Sequence, residues 1–91
     1  MIGRKVVYSN SAYKDLKKIE KSQAKRIVNK IRFFVGQKQL NDYAKKLKPP
    51  LDKYYRFKIG DYRVIFDMDN SGKIIILTVL RILHRKDIYR K

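Results

Sequence analysis

The apolar positions of this chain change period once, near Tyr54. Upstream, Ala12, Leu16 and Ile19 recur at helical spacing behind Ser9, Asn10 and Ser11, which suit a helix cap. Asp15 falls near the start of that helix, where the helix dipole favours an anion. A second helix is predicted where Ile27, Val28, Ile31, Phe34 and Val35 fall at i, i+1, i+4, i+7 and i+8, with Ser22 placed to cap it and Gly36 to end it. The two form a helix hairpin. Ahead of them "RKVVYS", residues 4–9, reads as a short strand. Behind them comes "QKQLNDYAKKLKPPLD", where Pro49 and Pro50 break any helix before the strands begin.

From Tyr54 onward the period is 2. In "YYRFKIGDYRVIFD", residues 54–67, Gly60 and Asp61 form a two-residue connection with glycine first, the kind that joins adjacent antiparallel strands. That turn sets Ile59 opposite Tyr62, Lys58 opposite Arg63 and Phe57 opposite Val64. Tyr55, Phe57, Ile59, Tyr62, Val64 and Phe66 then share a buried face, and Arg56, Lys58 and Arg63 share the other. A second turn at "DNSG", residues 69–72, leads into "KIIILTVLRIL", which is apolar enough for an interior strand. "HRKDIYRK" closes the chain with a short helical turn. The expected fold is α+β: an N-terminal strand, a two-helix hairpin, a three-stranded antiparallel meander and the C-terminal turn. At 91 residues it is one domain, residues 1–91, since one small core is about all such a length can bury.

Composition narrows the function. Lysine and arginine number 24 against 8 acidic residues, a formal net charge of +16 at pH 7. Such charge attracts polyanions, so the candidate partners are nucleic acid, an anionic membrane surface or an acidic protein. The chain has no cysteine and one histidine, which closes off disulfide frameworks, thiolate metal sites and zinc knuckles. Its longest apolar run, Ile74–Leu80, is far below the roughly 20 residues that span a bilayer, and "MIGRKVVYSN" lacks the apolar core of a signal peptide. A soluble, cytoplasmic protein with no membrane partner is expected.

Lys58 opposite Arg63 breaks a local rule, because like charges across a strand pair repel by a few tenths of a kcal/mol up to about 1. Such violations tend to sit at functional sites. Equally, long cationic side chains can splay into water over an apolar sheet, as Lys14, Lys17, Lys18, Lys21, Lys25, Arg26, Lys30 and Arg32 do on the outer side of an amphipathic helix pair. Tyr54, Tyr55, Tyr62 and Tyr89 are interleaved with the cations. Rings that stack on unpaired bases, beside cations that hold phosphates, are a common way to grip single-stranded RNA. Tyr55 and Tyr62 belong to the apolar face, which leaves Tyr54 and Tyr89 as the freer candidates.

"KLKPPLDKYYRFKIGDYRVIFD" followed by "LRILHRKDIYRK" resembles the RelE family of toxin–antitoxin ribonucleases, within the RelE and ParE superfamily. The resemblance implies a toxin that enters the ribosomal A site, cleaves messenger RNA and stops translation until an acidic RelB-like antitoxin wraps it. By position, Arg56 and Lys58 fall where the family has a pair of catalytic lysines, and Arg63 matches an arginine that holds the scissile phosphate. Arg85 matches an arginine assigned to transition-state stabilisation or leaving-group protonation, and Tyr89 a tyrosine that orients or stacks the substrate. Lys48, Tyr54, Arg81, His84 and Lys86 are candidate RNA contacts around them. Two positions depart from the pattern: Arg56 replaces a lysine, and a guanidinium rarely serves as a base; Leu83 stands where many members have glycine.

The residues agree with chemistry that uses no cofactor. Asp61, Asp67 and Asp69 lie in or beside turns and are not expected to converge on a divalent metal. Without a metal the accessible nucleophile is the RNA's own 2′-hydroxyl. Arg63 and Arg85 would stabilise the charge that develops on the phosphate. Like charge around Lys58 disfavours its protonated form, which suits it to act as base, while His84 is the sole conventional acid or base. Two other functions stay open: a ParE-like toxin that poisons DNA gyrase, and a non-catalytic RNA-binding module.

Overall fold

In the computed structural model, which describes residues 3–88, strand β1 (Gly3–Tyr8) turns at Ser9 into helix α1 (Asn10–Lys18). Ser9 caps α1 as expected: its Oγ accepts from the Ala12 N–H at 3.0 Å. Helix α2 (Lys21–Val35) is capped differently. Glu20, not Ser22, is its N-cap, and one carboxylate oxygen accepts from the Ser22 and Gln23 N–H groups at 3.1 and 3.3 Å. An anion there also meets the positive end of the dipole, which a hydroxyl does not. Gly36 does end α2, though with φ −80° and ψ −7° it stays right-handed, so the left-handed cap is absent. Arg4 of β1 replaces it, with Nη1 donating to the carbonyls of Val35 at 3.0 Å and Gln37 at 2.6 Å.

A 3-10 turn (Leu40–Asp42) and strand β2 (Ala44–Lys46) occupy the segment ahead of the prolines, for which the sequence pattern predicts no element. Strands β3 (Tyr55–Ile59), β4 (Tyr62–Ser71) and β5 (Ile74–His84) and a last turn of helix, α3 (Arg85–Ile88), complete the described chain. The sheet has five strands in the order β1-β5-β4-β3-β2, with β1 parallel to β5 and the other pairs antiparallel. The hairpin register is the expected one: Ile59 opposite Tyr62, Lys58 opposite Arg63, Phe57 opposite Val64. β4 runs on through Asp69 and Asn70 to Ser71, so the second turn is Gly72 and Lys73, later than expected.

Phe57, Val64, Phe66, Leu77 and Val79 from the sheet and Ala12, Ile27 and Ile31 from the helices are almost fully buried in one core. Phe57 stacks on Phe66 with centroids 4.3 Å apart, and Phe34 of α2 closes over Phe57 at 5.1 Å. Both long helices contribute to this side of the sheet. The other side carries Arg56, Lys58 and Arg63, of which Lys58 is exposed and the two arginines are partly so.

The outer edge of β5 is paired along only part of its length. β1 ends where Tyr8 pairs with Val79, and a β-bulge lies at the same level, where Ile65 pairs with Arg81 but Phe66 with Val79. Past that level β5 has lost its parallel neighbour. Asp15 fills the gap, accepting from the Ile82 N–H at 2.9 Å and from Arg81 Nε and Nη2 at 2.8 and 3.1 Å. It therefore serves β5, and α1 has no acid in its first turn to meet the dipole. Burial pushes the Asp15 carboxyl up, but the hydrogen bonds from Arg81 and Ile82 outweigh it and hold the group below its ordinary range.

Candidate nucleic-acid interface at the β3–β4 hairpin

The pleat places Tyr54, Arg56 and Lys58 at alternate positions on the uncovered side of the sheet, because Phe57 and Ile59 are buried on the other. Tyr54 continues the ladder beyond β3, since its carbonyl accepts from Leu47 N–H at 3.0 Å. Lys45 of β2 lies opposite Arg56, and Arg63 lies between Lys58 of β3 and Leu83 of β5. The row Tyr54, Arg56, Lys58 with Lys45 and Arg63 beside it is thus one cationic strip with an aromatic at its end. Lys53 Nζ sits 5.1 Å from the Tyr54 ring centroid, so that ring already presents a face to a cation.

The Gly60–Asp61 turn gathers the arginines. Gly60 takes φ +57°, a left-handed conformation that glycine adopts without strain. Arg63 Nη1 donates to the Gly60 and Tyr62 carbonyls, each at 3.0 Å, so its guanidinium is folded toward the turn. Arg85, at the start of α3, is tied to the same turn twice: its N–H donates to the Asp61 carbonyl at 2.7 Å, and its Nε lies 3.4 Å from the Asp61 carboxylate. Two cations far apart in sequence therefore share one end of the sheet.

Other candidates lie elsewhere. Arg81 pairs opposite Ile65 by register, but its guanidinium turns to Asp15 at the sheet edge. His84 pairs opposite Tyr62, on the helix side, and packs edge-on against that ring with centroids 5.3 Å apart. Its Nδ1 accepts from the Lys86 N–H at 3.2 Å, which leaves Nε2 as the donor. Lys48, in the loop after β2, and Lys86 are both exposed. Tyr89 lies outside the described residues. Among the described residues no three acidic or imidazole side chains lie close enough to hold a metal ion.

Two residues join the interface that the sequence did not single out for it. Lys45 enters because β2 exists, and a three-residue strand with two lysines has no period to detect. Arg26 of α2 reaches the turn, its Nη1 and Nη2 each 3.9 Å from where a Cβ on Gly60 would stand. Nothing local in the sequence links those two positions.

Residues 6–89 match the family model described as the ParE toxin of the type II toxin–antitoxin system, parDE. The chain is 36% identical over 88 residues to Toxin RelE3 of Methanocaldococcus jannaschii, which spans 93% of this chain and 94% of that one. Among solved structures it is similar to the RelB–RelE antitoxin–toxin complex from Methanococcus jannaschii, at 31% identity and TM-score 0.60, over 91% of this chain and 94% of that one. The RelBE2 toxin–antitoxin complex of Mycobacterium tuberculosis shares the fold at 21% identity and TM-score 0.69, over 92% and 100% of the two chains. With the helix hairpin, the meander and the basic hairpin all in place, the chain belongs to the RelE/ParE family and is a RelE-like toxin of a type II toxin–antitoxin system.

Proposed function

We propose that this toxin is a cytoplasmic, metal-independent endoribonuclease that cleaves messenger RNA in the ribosomal A site and so inhibits translation. The observation that carries the reading is the attachment of Arg85 to the Asp61 carbonyl and carboxylate at 2.7 and 3.4 Å, beside an Arg63 held on the Gly60 carbonyl. Fixed guanidiniums stabilise developing charge on a phosphate without reorganising. In the reaction the 2′-oxygen of the RNA loses its proton to Lys58 and bonds to the adjacent phosphorus. The bond to the 5′-oxygen breaks, that oxygen takes a proton from solvent water, Lys58 returns its proton to solvent, and a 2′,3′-cyclic phosphate remains. Arg56 and Arg63 hold the phosphate, Arg85 meets the transition-state charge, and Tyr54 and Tyr89 stack on bases. Lysine and arginine are weak catalysts alone, so the ribosome's part is to hold the codon in an in-line pose.

An acidic RelB-like antitoxin is the regulating partner, in keeping with the RelB–RelE complex of the archaeal relative. It would neutralise a surface on which, among the described residues, only Arg81 and Arg85 are ion-paired. The deciding experiment is primer extension on messenger RNA in a purified translation system. Arg85→Ala should lower cleavage by about 10²-fold or more, with thermal stability unchanged because the side chain is exposed and the backbone bond to Asp61 remains. Cleavage at the wild-type rate would overturn the assignment. The matched family model is described by ParE, which favours one second reading, a gyrase poison. Inhibition of gyrase supercoiling by the purified toxin, with no messenger cleavage, would establish that reading instead.

A further inference from the structure

The outward face of α2 carries a groove that shares only Arg26 with the hairpin interface. Ser22, Lys25, Arg26, Asn29, Lys30 and Phe33 line a shallow groove of about 520 Å³. Phe33 is exposed to 50%, although its neighbour Phe34 is buried in the core. A half-exposed phenylalanine in a row of cations is more than a solvated helix face needs. Lys30 Nζ lies over the ring, 5.4 Å from its centroid, and the ring meets Phe34 and Tyr43 edge-on with centroids 5.9 and 6.3 Å apart, so Phe33 is held in place while half of its surface stays in solvent. Among the described residues none of Lys25, Arg26 and Lys30 has an acidic partner within ion-pair distance. Unpaired cations beside an exposed ring are the elements of a single-strand grip: backbone held by charge, a base held by stacking.

Arg26 joins this groove to the hairpin. It also lines a smaller cleft of about 130 Å³ with Gln23, Ile59, Gly60, Asp61 and Tyr62. That cleft lies at the turn which holds Arg63 and Arg85. A cationic track therefore runs from the uncovered sheet side, around the turn at Gly60, onto α2.

We propose that the α2 groove is a second RNA site, continuous with the hairpin interface through Arg26, in which Lys25, Arg26 and Lys30 hold phosphates and Phe33 stacks on an unpaired base. The proposal rests on the nuclease reading only in taking RNA as the ligand. Charge complementarity favours a polyanion, and the exposed ring favours one with unstacked bases over a duplex or a featureless acidic surface.

The test is fluorescence anisotropy with a short labelled 2′-O-methyl oligouridylate, which lacks the nucleophile for cleavage, titrated with the full chain at several salt concentrations. Phe33→Ser should weaken binding by about 5-fold or more. The combined Lys25→Gln, Arg26→Gln and Lys30→Gln variant should reduce the slope of log affinity against log salt by about 2, at roughly 0.7 per phosphate contact. A charge-matched control, Lys14→Gln, Lys17→Gln and Lys21→Gln, should keep most of the affinity. Equal losses in the two triple variants, no effect of Phe33→Ser, or no salt-dependent binding by the wild type would each overturn the site. If RNA binding is intact in the α2 variants but capture of the antitoxin fails, the groove is a protein interface and the proposal is wrong. Binding that meets these expectations in a protein that cleaves no messenger would sink the nuclease reading and leave this one standing.

Discussion

Asp15 is the one buried charged residue among those described, at 9% exposure, and its carboxylate bridges α1 to the open edge of β5. A charge-assisted hydrogen bond contributes about 1.5–3 kcal/mol; in an amide one oxygen can still accept from the Ile82 N–H, but the charge is gone and the NH2 group, a donor, faces the Arg81 guanidinium, which only donates. Asp15→Asn should therefore lower stability at neutral pH by about 1–3 kcal/mol, measured by urea unfolding. The pH dependence has a definite sign. The folded-state pKa is held below the ordinary 3.8, so the contribution is present above that value and is lost as pH falls through the folded pKa. The difference between wild type and Asp15→Asn should shrink as pH is lowered from neutral to below 3.8; a constant difference would show that the charge is not what stabilises. The sequence showed an acid near a helix start, which made the dipole the natural reading. Its true partners lie 66 and 67 residues away, out of reach of any local rule.

At the scale of elements, two glycines that look alike in sequence behave oppositely. Gly60 holds φ +57°, and a Cβ there would meet nothing closer than the Arg26 guanidinium at 3.9 Å, so the penalty of substitution is conformational. Gly60→Ala should destabilise by about 1–2 kcal/mol. Gly36 is right-handed, and a Cβ would make only ordinary contacts at 3.6 Å with the Arg32 and Phe33 carbonyls. Gly36→Ala should be neutral or stabilise by up to about 1 kcal/mol, through the unfolded chain. Thermal unfolding of the two variants checks both signs, and a stabilised Gly60→Ala would contradict the turn geometry. The hairpin was legible because a two-residue turn and a period of 2 leave one register that puts Phe57, Ile59, Val64 and Phe66 on the buried face, with Ile65 the apolar residue left on the other. The position of the end of α2 was legible as well, at Gly36, but its right-handed form was not, since Arg4 of β1 reaches the last carbonyls from elsewhere in the chain.

The whole molecule carries +16 within extents of 37 × 31 × 24 Å. At about 0.01 M salt the screening length is ~30 Å, and at 0.15 M about 8 Å. Repulsion thus spans the molecule in dilute buffer and is confined to neighbours at physiological salt. Melting temperature should rise with sodium chloride across that range, with each kcal/mol worth about 4–8 °C in a domain of this size. Polyglutamate should raise it further by binding the folded state. A melting temperature that falls or stays level would mean that the charges are spaced too well to strain the fold. On the proposed function, the same field would draw an acidic antitoxin and a polyanionic substrate to one surface.

What the sequence by itself determined is whatever depends on near neighbours: helix faces from a period of 3.6, strand faces and hairpin register from a period of 2, and net charge from composition. Those were enough to set Arg56, Lys58 and Arg63 on one side of a sheet. The tertiary structure decided the rest: the parallel seating of β1 on β5, the short strand that adds Lys45, the capture of Arg81 by Asp15, and the meeting of Arg26, Arg63 and Arg85 at Gly60. Each joins residues distant along the chain, and such contacts form where packing a shared core brings them together, whatever the local pattern around them.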